Sequence, residues 1–128
     1  MTDSTFLSKT KVFTKDLSEI PVRKLLISTI NAYSYTIARR DQEFAEALKK
    51  SDILLPDGIS IVYAKYILNG EKIRKIAGAD LFNYEMNRLN SLHGSCFFLG
   101  SKESTLQIII RRLKKDYPHV RAASFSPP

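Results

Sequence analysis

The segment Ile53-Leu54-Leu55-Pro56-Asp57-Gly58-Ile59-Ser60-Ile61-Val62-Tyr63-Ala64 constrains the fold more than any other part of this chain. A short apolar run stops at Pro-Asp-Gly, and helical periodicity starts at once, with Ile59, Val62, Tyr63 and Tyr66 at i, i+3, i+4 and i+7 on one predicted apolar face. A continuous apolar run suits a strand buried on both faces, as in a parallel sheet, so Pro-Asp-Gly becomes a strand-to-helix corner. In open α/β sheets, ligands bind in the crevice outside the carboxyl ends of the strands. Asp57 is therefore the leading candidate for a catalytic carboxylate. The competing reading is a common turn in which Asp57 caps the following helix.

The same alternation recurs along the chain. Lys11 to Thr14 reads as a short first strand, and Arg23 to Thr29 as a second, carried by the apolar run Leu25-Leu26-Ile27. Asp41 is a helix N-cap ahead of a face made by Phe44, Ala47 and Leu48, with Lys49 and Lys50 at the helix's negative end. Asn69-Gly70 ends the helix after Asp57, and Asp80 starts another that carries Phe82, Met86 and Leu89 and stops at His93-Gly94. Cys96 to Leu99 reads as a further buried strand. Gly100-Ser101 then opens a helix whose face is Leu106, Ile109, Ile110 and Leu113, ended by Tyr117-Pro118, and Val120 to Ser124 reads as the start of another strand. Strands alternating with helices predict an α/β fold, a Rossmann-like, mostly parallel sheet flanked by helices. A strand running into Ser126-Pro127-Pro128 predicts a fold incomplete at its carboxyl end. Residues 1–22 read as an amino-terminal lead segment and residues 23–128 as the α/β domain.

The chain has 128 residues, 44% hydrophobic and 26% charged, enough for one domain with a real core. Its single cysteine excludes an internal disulfide framework or a cysteine zinc site and fits a reduced, cytoplasmic setting. Cys96 reads as a small buried hydrophobe. No stretch approaches the roughly 20 apolar residues that span a bilayer, and the polar start lacks the pattern of a secretory signal. A formal charge of +7 points to an anionic partner: nucleic acid, an acidic lipid surface or a phosphorylated small molecule. No nucleic-acid recognition motif accompanies the charge, so nucleic acid is not expected as the partner.

Five short motifs in order resemble the bacterial WecG/TagA/CpsF glycosyltransferases, which include N-acetylmannosaminyltransferases. They are Thr29-Ile30-Asn31-Ala32, Asp41-Gln42-Glu43-Phe44, Ser51-Asp52 followed by Leu55-Pro56-Asp57-Gly58, Ala77-Gly78-Ala79-Asp80-Leu81, and Phe98-Leu99-Gly100-Ser101. The resemblance covers the chain from about Lys24 onward and implies the amino-terminal portion of such an enzyme. It implies an inverting, metal-independent transfer of N-acetylmannosamine or a related hexose from a UDP-sugar donor to a polyprenyl-diphosphate-linked acceptor, with no cofactor. The products would feed envelope polysaccharides or teichoic acid linkage units. The expected location is cytoplasmic, peripheral at the inner face of the membrane, where an anionic surface is a further expected partner; a homo-oligomer stays open.

The resemblance implies that Asp57 takes the proton from the acceptor hydroxyl. Thr29 and Asn31, at the end of the preceding strand, offer a hydroxyl and an amide to sugar or acceptor, or else hydrogen bonds that start the next helix. Gly58 joins the substrate-binding set. Gly78 and Asp80 are candidates for the donor sugar or diphosphate, with helix capping the alternative for Asp80. Gly100 and Ser101, between a strand and a helix, would meet an anion through backbone N–H groups, although the Gly-Lys-Ser/Thr of a P-loop is missing. The basic runs Arg74-Lys75 and Arg111-Arg112-Lys114-Lys115 read as solvated faces that could also meet diphosphate or lipid. His93 and His119 have no recognisable partner, so no metal site is expected. Tyr33, Tyr35, Tyr63 and Tyr66 read as core or interface aromatics. The alternative to an enzyme is a nonenzymatic module that binds a nucleotide-sugar or a partner.

Overall fold

A computed structural model describes residues 4–128. The element order is α1 (Ser4–Lys9), a 3-10 turn (Leu17–Glu19), β1 (Ile27–Ile30), α2 (Ala32–Arg40), α3 (Gln42–Lys49), β2 (Ile53–Pro56), α4 (Ile59–Asn69), α5 (Gly78–Leu92), β3 (Ser95–Leu99), α6 (Glu103–Asp116) and β4 (Arg121–Phe125). This is an α/β fold in which every strand pairing is parallel, with β1 beside β2 and β3 beside β4. The chain divides into two compact units, residues 1–81 and 82–128.

In the first unit the predicted β2 forms as expected, and all four of its residues are buried. Alternate side chains explain why. Leu54 joins a cluster with Ile30, Ala38, Leu48 and Ile61, while Ile53 and Leu55 join a second cluster with Ile76. With helices on one face and the 71–77 connection on the other, nothing polar is tolerated. β1 is shorter than the expected Arg23 to Thr29 run: it begins at Ile27, and Leu26 lies exposed. Lys11 to Thr14 is not a strand. The segment makes one ladder-like bond, Phe13 N–H to Leu54 O at 2.8 Å, and otherwise runs as irregular chain.

Two helix faces differ from the sequence expectation. On α3 the cap is as expected, Asp41 Oδ1 accepting from Phe44 N–H at 3.0 Å, but Ala45 and Leu48 are buried and Ala47 faces out. On α4 the buried side is Ile61 and Lys65, with Ala64 packed beside them, whereas Ile59 and Tyr66 are exposed and Tyr63 is 61% exposed. α4 is apolar on nearly every side, so periodicity could not choose its inward stripe. Gly70 ends α4 in the left-handed conformation, at φ 70°.

The second unit is half a sandwich. Helices α5 and α6 supply Met86 and Leu113, and these pack with Val120, Cys96, Phe98 and Ala122. They cover one face of the β3–β4 pair. The other face is open, with Phe97 60% and Leu99 72% exposed, so β3 is not the fully buried strand its apolar run predicts. Cys96 is half-buried on the covered face, and burial pushes its thiol up, away from the reactive thiolate. α6 starts at Glu103, two residues later than a helix opening at Gly100-Ser101.

Candidate functional site

Parallel pairing in the observed register, Thr29 with Leu55 and Ile30 with Pro56, brings the ends of β1 and β2 level. Asp57 N–H extends the ladder by donating to Ile30 O at 2.9 Å, which sets Asp57 and Gly58 next to Asn31. Gly58 has φ 134° and ψ 143°, a conformation close to glycine-only, and it lies beside Asn31, whose Cβ would be 3.8 Å from a Cβ placed there. The glycine therefore turns the chain sharply out of β2 into α4 and leaves Asp57 at the rim.

A third element closes on the same corner. Ile76 N–H donates to Pro56 O at 2.9 Å, laying the connection over the end of β2 and delivering the first turn of α5 to Asp57. Gly78 N–H reaches Asp57 Oδ2 at 3.5 Å, so the positive end of α5 faces the carboxylate. A Cβ on Gly78 would lie 3.8 Å from the Thr29 methyl, in ordinary van der Waals contact, which places the start of α5 against the end of β1. Thr29, Asn31, Asp57, Gly58, Gly78 and Asp80 thus gather from three elements within the first unit.

Their hydrogen bonds separate structural duties from spare chemistry. Asn31 is the N-cap of α2: its Oδ1 accepts from Ser34 N–H at 2.9 Å, and Ser34 Oγ accepts from Asn31 N–H at 2.9 Å. That reciprocal pair fixes the amide and leaves its NH₂ as the free donor. Asp80 Oδ2 accepts from Ala77 N–H at 2.8 Å, which is the capping alternative realised, with one carboxylate oxygen left over. Asp57 behaves differently. The N-cap of α4 is Gly58 and has no side-chain hydrogen bond, so the Asp57 carboxylate is not spent on starting that helix.

Gly100 and Ser101 belong to the second unit. Gly100 N–H already donates to Phe125 O at 3.0 Å, and Ser101 O accepts from Ser126 Oγ at 2.6 Å. Both backbones are in the left-handed region, at φ 114° and 66°. The Gly100 N–H and the Ser101 carbonyl therefore tie the end of β3 to the end of β4 and the residue after it, and α6 carries Glu103 in its first turn, which disfavours an anion there. The exposed Ser101 side chain remains for contacts.

Sequence reasoning missed two residues that shape the first unit. Ser34, which orients Asn31, was legible as the fourth residue of an Asn-x-x-Ser cap. Lys65, buried at 3% exposure, donates from Nζ to Thr10 O at 3.0 Å; its signal was a lone charge in an apolar helix. In the second unit the His93 and His119 rings stack, with centroids 4.4 Å apart. Among the described residues, no three ligating side chains converge as a metal site would require. Among the described residues, no helix is long and apolar enough to cross a membrane.

The chain is 28% identical over 101 residues, 79% of its length, to an N-acetylglucosaminyldiphosphoundecaprenol N-acetyl-beta-D-mannosaminyltransferase of Bacillus subtilis. It is 28% identical over 89 residues, 70% of its length, to the protein of that name from Bacillus spizizenii. It spans 40% and 35% of those relatives. The family model "Glycosyl transferase WecG/TagA/CpsF family" matches residues 7–128, nearly the whole chain. The chain belongs to the WecG/TagA/CpsF glycosyltransferase family.

Proposed function

We propose that the chain forms the amino-terminal part of an inverting glycosyltransferase that moves N-acetylmannosamine or a related hexose from a UDP-sugar to a polyprenyl-diphosphate-linked sugar. The observation that carries this reading is the Asp57 carboxylate, held at the carboxyl end of a parallel strand pair, not used to cap α4, and touched by one long hydrogen bond of 3.5 Å from Gly78 N–H. In the reaction, Asp57 accepts the proton of the acceptor hydroxyl while that oxygen bonds to the anomeric carbon. The bond from that carbon to the diphosphate breaks, and the nucleotide leaves with the electron pair. The Asn31 NH₂ and Thr29 hydroxyl orient sugar or acceptor, Gly78 offers its backbone to the substrate, and the spare Asp80 carboxylate oxygen takes a sugar hydroxyl. The family membership and the names of the relatives support the acceptor class.

The test is turnover of UDP-N-acetylmannosamine with a short-chain lipid-diphosphate N-acetylglucosamine acceptor, the disaccharide product being detected by mass spectrometry. Product is the expected result. Donor binding without product from this chain or a longer form of it would favour a nonenzymatic nucleotide-sugar-binding module. A chain that neither binds donor nor forms product overturns the reading.

Asn31→Asp isolates the amide's role. Aspartate caps a helix as well as asparagine does, so the melting temperature stays close to that of the parent chain. The outward donor becomes an acceptor, and substrate affinity falls about tenfold, the worth of one polar hydrogen bond. Unchanged affinity in a calorimetric titration would restrict Asn31 to capping.

A further inference from the structure

The end of the β1–β2 pair opposite Asp57 carries a different chemistry. There the segment after α1 runs beside β2, and a cleft of about 770 Å³ opens between it, the approach to β1 and the end of α3. Five cationic side chains line it: Lys9, Lys11, Lys15, Arg23 and Lys49. The two carboxylates in its wall are already engaged. Asp52 accepts from Leu26 N–H at 2.8 Å and lies 3.9 Å from Arg23, while Glu19 accepts from Asp16 N–H at 3.0 Å. Lys49 is bonded to Glu46 at 3.1 Å. Among the described residues, Lys9, Lys11 and Lys15 have no carboxylate partner.

Three unpaired ammonium groups around a concavity whose wall includes the buried Leu48 and Leu54 repel one another, and the apolar wall focuses their field. An anion relieves that repulsion, and lysine serves phosphate as a point charge. The volume falls within the roughly 300–1,000 Å³ typical of small-molecule sites, so there is room for more than a bare ion. Roughly 16 Å of extended chain separates Asp52, at this end, from Asp57.

We propose that this cleft is a second anion site, separate from the Asp57 corner, that takes a phosphate- or diphosphate-bearing ligand. A soluble phosphate ester and the headgroup of an acidic lipid present the same chemistry, and the experiment distinguishes them. The 128-residue chain is titrated with inorganic pyrophosphate by calorimetry and, separately, sedimented with phosphatidylglycerol-containing vesicles, both at about 0.1 M salt so that long-range attraction is screened. The paired variant Lys11→Glu, Lys15→Glu is compared with Lys114→Glu, Lys115→Glu, which changes net charge equally in the other unit. Lys11→Gln, Lys15→Gln serves as a milder version, and circular dichroism verifies folding. The expected result is a loss of about tenfold or more for the first pair and less than about twofold for the control. Pyrophosphate binding with that pattern identifies a soluble ligand; the pattern on vesicles alone identifies a headgroup. Equal losses in the two pairs, or no binding of either probe, would overturn the proposal.

Discussion

Asp57→Asn is expected to lower sugar transfer by ~10²–10⁴-fold, the usual worth of a positioned general base, under conditions where the parent chain turns over. Folding and donor binding should survive. The carboxylate receives one long hydrogen bond, 3.5 Å from Gly78 N–H at the start of α5, and α4 does not use it as a cap; an amide of the same shape keeps an oxygen for that bond and leaves the corner standing. The competing reading of Pro-Asp-Gly, a turn held by its aspartate, predicts the reverse: a loss of stability with the rate of any correctly folded fraction unchanged. Rate and melting temperature measured on one preparation separate the two. A rate within a factor of about three of the parent would remove Asp57 from the base role, because such a change corresponds to well under 1 kcal/mol of barrier.

Strand β2 and the corner were legible because their signals are local. Ile53 to Leu55 is apolar without interruption, and only a strand covered on both faces accepts that, which is what the two clusters around Leu54 and Leu55 show. Asp41 as a cap was equally plain, since capping needs only the next turn of helix. The inward face of α4 was not legible. Ile59, Ile61, Val62, Tyr63, Tyr66 and Ile67 surround the helix, and the choice of Ile61 and Lys65 is made by distant partners: Ile61 packs in one cluster with Leu7, Ile30 and Leu54, and Lys65 bonds Thr10, 55 residues away in sequence. The open face of β3 was illegible for a related reason. An apolar run reports what a strand could bury, and the two helices of that unit reach only the side of Cys96 and Phe98. At the site, the alternatives were legible but the choice between them was not: that Asn31 caps α2 and Asp80 caps α5 while Asp57 leaves α4 uncapped depends on which N–H groups lie within reach.

Lys65 is where stability should be most exposed to a single substitution. Helix α1 ends with carbonyls that have no partner in their own helix. The protein meets that need from α4: Asn69 Nδ2 donates to Ser8 O at 3.3 Å, and Lys65 Nζ donates to Thr10 O at 3.0 Å, with Glu71 Oε2 4.0 Å away. Thr10 closes the remainder, its N–H reaching Leu7 O and its hydroxyl Phe6 O. Lys65→Ala deletes a charge-assisted hydrogen bond, leaves the buried carbonyl of Thr10 without its donor and empties the space of a long side chain. The combined cost is expected at about 3–5 kcal/mol, a large share of the roughly 5–15 kcal/mol that holds a domain of this kind together. Glu71→Gln should cost less than about 1 kcal/mol, because Glu71 is 49% exposed and its attraction is screened by water. Urea unfolding measures both, with the midpoint of Lys65→Ala falling while that of Glu71→Gln barely moves. Amide hydrogen exchange adds the location: if α4 clamps α1, protection in Lys65→Ala drops first in residues 4–14, ahead of β2. A Lys65→Ala protein within about 0.5 kcal/mol of the parent would mean that the ammonium does not hold α1, and the amino-terminal segment would then have to be secured by Leu7 and Val12 packing alone.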